Sequence, residues 1–226
     1  MGFKSEKWDE LERLRDEVQE LFGSEDPDHK LQRIVSRMNR IVELDPTDKF
    51  ALFWLGKLWY KLEVYETALK FIEKLIKLDE NHSGALLYKG NILTELKKEN
   101  EALECYDKLI KADSSYAPAY YNKGSTLHNL GQYKEALECY ERYVELDKNN
   151  SNDPDFLINK CKTLFRLGQN NDAIICYDRA IEMDSSLKFN MYPDPKINFK
   201  KIRIRRCGSL CNVIRFVVRC FSKSRP

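Results

Sequence analysis

Three cysteines, Cys105, Cys139 and Cys176, follow one another at intervals of 34 and 37 residues, and thiolates are the side chains that most readily hold zinc or attack an electrophile. Residues recurring at so even an interval belong to successive structural units. If each unit is a helix pair, equivalent sulfurs lie about 8–10 Å apart or more, whereas zinc needs each sulfur at about 2.3 Å. The three are therefore read as small packing residues. Cys207, Cys211 and Cys220 gather later in the chain without a partnering histidine, which leaves reversible oxidation or acylation as the alternative to an idle thiol. Seven cysteines with no paired framework also favour a reducing compartment.

His29 falls near a helix start, His82 in a turn and His128 on the exposed side of a first helix. None has a second histidine or carboxylate at ligand or catalytic spacing, so all three are read as solvated. Each glycine stands singly, so no glycine-rich loop cradles a phosphate. The expectation is a protein that is not an enzyme, with no catalytic residue, no metal and no cofactor.

The elements that would position any site follow from the repeat. Gly56 with Ala68, Gly90 with Ala102 and Gly124 with Ala136 recur every 34 residues, as do Leu62, Leu96 and Leu130 and Asp79, Asp113 and Asp147. A further copy follows a three-residue slip within 150–153, with Cys161 in the glycine place and then Leu167, Ala173, Tyr177 and Asp184. Such a period marks stacked units, none of which buries its apolar face alone. Within one unit, Ala85, Leu86, Ile92, Leu93 and Leu96 share one helical arc, and Ala102, Leu103, Tyr106, Leu109 and Ile110 share another. The unit is thus two antiparallel helices. A helix-interior glycine costs about 1 kcal/mol relative to alanine, so its recurrence points to close approach between the two helices, glycine against alanine.

The stretch AYYNKGSTLHNLGQYKEALECYERYVELD, Ala119 to Asp147, resembles the tetratricopeptide repeat, and archaeal and bacterial arrays in particular. The resemblance covers repeats at 49–82, 83–116, 117–150 and 154–187, with 5–48 as a degenerate first copy in an array spanning 1–187. It implies an all-α, right-handed α-α superhelix, a solenoid of antiparallel helix pairs. It also implies a scaffold that binds a partner protein or peptide in its concave groove without a cofactor. The chain departs from the pattern where neighbouring repeats pack, with Leu75, Leu109 and Tyr143 in place of alanine and only Ala180 conforming.

Placed at 100° per residue, Phe50, Phe53, Trp54, Lys57 and Tyr60 lie opposite the buried arc of their helix, on the side that lines the groove in the family. Later units add Leu87 and Asn91, then Tyr121, Asn122, Ser125 and His128, then Lys162. Contiguous exposed aromatics mark an interaction surface; the alternative is that residues 5–48 cover Phe50 and Trp54 as core. Some relatives clamp a C-terminal carboxylate with lysine, asparagine and arginine. Asn91 and Asn122 fit that pattern, but Leu87, Asp155 and Asn159 stand where cations are required. The clamp is not expected.

The net charge of +2 conceals an asymmetry: residues 188–226 hold eleven basic residues against Asp194, leaving −8 for residues 1–187. The basic set includes Lys200, Lys201, Arg203, Arg205, Arg206, Arg215 and Arg219. Helical spacing of Leu210, Ile214, Val217 and Phe221 is compatible with a capping helix, and the charge with a grip on acidic lipid or nucleic acid; a disordered tail is the third reading. With no run of about 18 apolar residues and no leader pattern, the expected location is the cytoplasm.

Overall fold

At four places among the described residues the backbone is left-handed: Glu63 at φ 60°, Lys97 at 60°, Gly131 at 78° and Gly168 at 76°. Each ends a first helix and starts its partner. In each, the amide that follows reaches back across the turn, Val64 to Trp59, Lys98 to Leu93, Gln132 to Leu127 and Gln169 to Leu164, at 2.8–3.0 Å. This closes the helix C-terminus and satisfies carbonyls that would otherwise lack donors.

The structure, a computed structural model, describes residues 2–23 and 27–184, with side chains from 6–21 and 31–184. The described residues form α1 (Gly2–Gly23), α2 (Pro27–Leu44), α3 (Lys49–Lys61), α4 (Tyr65–Leu78) and α5 (Ser83–Glu95). They continue with α6 (Glu99–Ala112), α7 (Ala117–Asn129), α8 (Tyr133–Leu146), a 3-10 turn at Lys148–Asn152, α9 (Pro154–Arg166) and α10 (Asn170–Met183). Among them there is no strand, and no helix is long and apolar enough to cross a membrane. The fold is all-α, built of consecutive helix pairs. One compact unit runs to Ser151 and holds α1 to α8; a second begins at Asn152 and holds α9 and α10.

Helix starts are set by side chains. Asp48 caps α3 by accepting from the Ala51 amide at 2.8 Å, and Asp153 caps α9 by accepting from Asp155 at 2.9 Å. Between pairs, Asp45 accepts from the Thr47 amide and hydroxyl, and Asp113 from those of Ser115. These bonds hold both carboxyls below their ordinary pKa.

The glycine positions refine the expected glycine-to-alanine contact. Ala68, Ala102 and Ala136 are fully buried, but the atoms nearest a Cβ at Gly56, Gly90 and Gly124 belong to the residue one turn later. They are Ile72 at 2.5 Å, the Tyr106 ring at 2.4 Å and the Tyr140 ring at 2.7 Å. Alanine lets the helices close, and glycine then accommodates the larger side chain. Within the first unit the pairs are tied further by Lys89–Glu73 at 3.1 Å and Lys123–Asp107 at 2.5 Å, equivalent bridges one repeat apart.

Residues 5–48 supply α1 and α2, whose Leu11, Leu14, Val18, Ile34, Met38 and Ile41 build a core with Ala51, Leu55 and Leu58 of α3. Arg15 of α1 donates to the capping carboxylate of Asp48 at 2.6 Å.

Candidate functional site

Because α3, α5 and α7 share one register, the residues expected on the groove side fall at matched places: Phe53, Leu87 and Tyr121; Trp54, Tyr88 and Asn122; Lys57, Asn91 and Ser125; Tyr60, Thr94 and His128. The helices hold these side chains in rows. The row starting at Phe50 continues as Gly84 and Pro118.

On α3 and α5 the rings form a continuous ladder. Phe50 lies 6.0 Å from Trp54 and Trp54 6.4 Å from Phe53 between centroids. Phe53 then meets Tyr88 at 5.6 Å and 85°, Tyr88 meets Tyr60 at 5.7 Å and 84°, and Tyr60 meets Tyr65 of α4 at 5.9 Å. Edge-to-face pairs of this kind add to the benefit of burial. The ladder is neither core nor free surface. Phe50 is 52% exposed, while Phe53, Trp54 and Tyr60 are half-buried. Trp54 packs against the α1–α2 core, so residues 5–48 cover that ring in part and leave Phe50 open. A cleft of about 580 Å³ runs beside Phe50, lined by Arg15, Gln19, Thr47 and Lys49 among others. A larger one of about 870 Å³, at α2 and the end of α3, touches none of the ladder.

Lys57 lies in the middle of this patch, its ammonium 4.4 Å from the Trp54 ring centre. A cation over an indole face is an attractive contact of about 0.5–2 kcal/mol. Burial pushes the Tyr60 and Tyr88 hydroxyls above their ordinary pKa; Glu95 adds to the effect at Tyr60.

One repeat further the same face is polar and self-satisfied. Tyr106 donates to Asn91 Oδ1 at 2.8 Å, and Asn122 Nδ2 donates to the same oxygen at 2.8 Å. The Thr94 and Thr126 hydroxyls meet at 3.0 Å. Tyr121, expected as an accessible anchor, is half-buried against Tyr140 and Tyr143 at 6.2 and 5.2 Å. The bulk of Tyr143, where the family has alanine, brings that ring within reach of Tyr121. Leu87 packs on the core of α5 to α7, Ser125 is half-buried, and His128 meets Tyr133 edge-on at 5.3 Å. Lys162 is exposed on α9, in the second unit.

Two contributors escaped the sequence reading. His82 is the N-cap of α5, its Nδ1 accepting from the Ala85 amide at 3.1 Å, and its ring lies 5.3 Å from Phe53. Gly84 leaves room for Phe53, whose ring a Cβ there would meet at 3.0 Å. The only signal was positional: both residues begin the helix after Phe53.

No group of His, Cys, Asp or Glu among the described residues is placed to hold a metal ion. Burial raises the thiols of Cys105, Cys139 and Cys176, and that of Cys161 to about 12, so all four are poor nucleophiles. Lys200, Lys201, Arg203, Arg205, Arg206, Arg215 and Arg219, the cysteines 207, 211 and 220 and the capping helix expected near 209–222 lie outside the described residues.

Comparison with known proteins places this geometry in a family. Residues 117–150 and 154–187 match models of the tetratricopeptide repeat, and 90–131 match a TPR repeat model. Residues 31–109 match the model of anaphase-promoting complex, cyclosome, subunit 3. No curated protein sequence matches the chain. Among solved structures, MamA 41-end from Desulfovibrio magneticus RS-1 is 20% identical and superposes with a TM-score of 0.66 over 79% of this chain and 97% of its own. TTC0263, a thermophilic TPR protein of Thermus thermophilus, is 17% identical with a TM-score of 0.63 over 80% and 96%. YrrB, described as a TPR protein with an unusual peptide-binding site, is 22% identical with a TM-score of 0.55 over 70% and 79%. At these identities the likeness is one of fold, and it agrees with the repeat models: the chain belongs to the tetratricopeptide repeat family.

Proposed function

We propose that the chain is a protein-interaction scaffold that takes an extended segment of a partner protein along the inner faces of α3, α5 and α7. The observation that carries this reading is the ring ladder from Phe50 to Tyr65, with the Lys57 ammonium over Trp54. Phe53, Tyr60, Tyr65 and Tyr88 pack on the core of α3 to α5 yet each keeps part of its ring in water, and Phe50 stands open beside them. Half-buried aromatics in a row supply the rigid, amphipathic area on which binding hot spots are built. The family and the likeness to other TPR proteins support the scaffold class.

The test is affinity capture from the native source with the full chain, comparing wild type with the Phe53→Ala/Tyr60→Ala variant. The expected result is a partner retained by wild type in moderate salt and lost by the variant, whose helical content is unchanged. Partner capture that survives in the double variant but disappears on truncation at Leu187 overturns the groove reading and moves the site to the basic segment.

A further inference from the structure

Second helices carry a carboxylate five residues after their buried alanine: Glu73 after Ala68 on α4, Asp107 after Ala102 on α6 and Asp178 after Ala173 on α10. On α4 and α6 the first helix of the next pair answers it with a lysine, Lys89 to Glu73 at 3.1 Å and Lys123 to Asp107 at 2.5 Å. At α10 the row is open. Among the described residues no cation pairs with Asp178, and its half-buried carboxyl lies above its ordinary pKa because burial removes water and Glu182, one turn on, adds repulsion. Arg179, the sole basic residue of α10, donates instead to Asn152. The apolar residues beside the carboxylate continue the pattern of the earlier pairs. Leu69 and Ile76, one and eight places after Ala68, pack on the core of the next pair. Their counterparts on α10 are Ile174 and Ile181, and next to them Ile175 is 64% exposed where α4 and α6 carry Lys70 and Glu104.

We infer that this face of α10, around Ile174, Ile175, Asp178 and Glu182, is the docking surface for the basic segment 188–226 of the same chain, which closes the row by setting a cation on Asp178. Charge argues for it first: eleven basic residues against Asp194 in the segment meet a helix with Asp172, Asp178 and Glu182 against Arg179. A cation on a half-buried carboxylate is screened by salt less than one on an open surface. Apolar pattern argues for it second, since Leu210, Ile214, Val217 and Phe221 recur at helical spacing and give the segment a stripe to lay against Ile174 and Ile175. Chain length permits it. Residues 185–209 reach roughly 80 Å when extended, at about 3.3 Å per residue, whereas α10 is only about 21 Å long at 1.5 Å per residue. Other occupants fit less well. The array of a second copy is acidic, with −8 over residues 1–187, and would meet like charge; an anionic membrane or nucleic acid would do the same. The basic segment of a second copy has the right charge, but the tether gives the chain's own segment the higher effective concentration.

The experiment is hydrogen–deuterium exchange on the full chain, read across residues 196–222. Exchange there should be about tenfold slower than in a free synthetic peptide of the same sequence, at every protein concentration. Asp178→Lys should remove most of that protection and Asp178→Asn a smaller part, with the amides of α3 to α8 unchanged. If Asp178→Lys disturbs α10 itself, molar salt on the wild type weakens the same contact without a substitution and should speed exchange across 196–222 alone. A second measurement locates the face. Asn171→Cys, exposed one turn before Ile175, should form a disulfide within one molecule to Cys207, Cys211 or Cys220 under oxidised glutathione; Asn100→Cys, at the matched place on α6, should not. Fast exchange in the wild type, or protection that both Asp178→Lys and molar salt leave unchanged, overturns the inference. Disulfides between molecules in place of internal ones assign the face to a second copy and overturn it too. Protection that appears only on adding phosphatidylserine vesicles or poly-uridine RNA overturns it in favour of an anionic partner.

Discussion

The inner face of α3 and the inner face of α7 occupy the same register yet carry opposite chemistry. Where α3 has Trp54, Lys57 and Tyr60, α7 has Asn122, Ser125 and His128, and α5 is intermediate with Tyr88, Asn91 and Thr94. The backbone scaffold behind them hardly changes, as Gly56, Gly90 and Gly124 and the paired alanines show. The packing face of each helix is thus held to one solution while the opposite face is not. The second helices take part in the difference. Opposite Asn91 stands Tyr106, which donates to it; the equivalent of Tyr106 in the α3–α4 pair is Ile72, and the equivalent of Asn91 there is Lys57, turned onto Trp54.

The largest expected effect tests that contrast directly. Phe53→Ala and Tyr88→Ala should each cost about 2 kcal/mol or more in partner affinity, as hot-spot aromatics do, whereas Ser125→Ala should stay below about 1 kcal/mol. Comparable losses at both ends, measured by calorimetry with the captured partner, would abolish the distinction. Next in size is a contrast in the floor. Gly90→Ala drives a Cβ to 2.4 Å from the buried Tyr106 ring, and overpacking typically costs about 1–3 kcal/mol, more than the roughly 1 kcal/mol gained in helix propensity. Gly56→Ala meets Cδ1 and Cγ1 of the fully buried Ile72 at 2.5 and 2.6 Å and should also lower the melting temperature, though by less, because an aliphatic chain can turn where a ring cannot. Thermal melts of the two variants decide it.

A smaller effect should arise in the turns, where the α3–α4 and α5–α6 pairs use Glu63 and Lys97 in the left-handed region and the α7–α8 pair uses Gly131. Lys97→Gly should stabilise by about 1 kcal/mol by removing the strain of a side chain there, and Gly131→Lys should do the reverse; chemical denaturation reads both. The smallest effect is shared by the two ends. Asp45 precedes α3 and Asp113 precedes α7, and both have depressed pKa values, largely from their Thr47 and Ser115 partners. Their contribution is present above the unfolded value of about 3.9 and disappears as pH falls through the lower folded value. Urea melts should therefore agree from pH 7 to 5 and weaken below about pH 4, and Asp45→Asn or Asp113→Asn should flatten that fall equally.

Helix pairing was legible because it rests on spacing alone: a 34-residue recurrence of Gly and Ala leaves one arrangement of two helices. The identity of the close contact was not, since Ala102 and Tyr106 share a helical face and only the folded packing shows that the Tyr106 ring is the nearer. The groove rows could be read from the 100° rotation per residue, but the state of each side chain could not. Asn91 is held by Tyr106 and Asn122, and Tyr121 by Tyr140 and Tyr143; these are contacts between helices, which no single helical wheel contains. His82 read as an idle turn residue because its capping bond depends on backbone geometry at the start of α5.

A corridor of identical rungs would let a bound segment slip by one repeat at no cost, like a rack with uniform teeth. Here a slip from α3 toward α7 moves a ring-seeking side chain from Trp54 past Tyr88 to Asn122, so each shifted alignment forfeits apolar area at about 25 cal/mol per Å². For a segment bound as proposed, the gradation from rings to amides would favour one alignment along the array over its shifted copies.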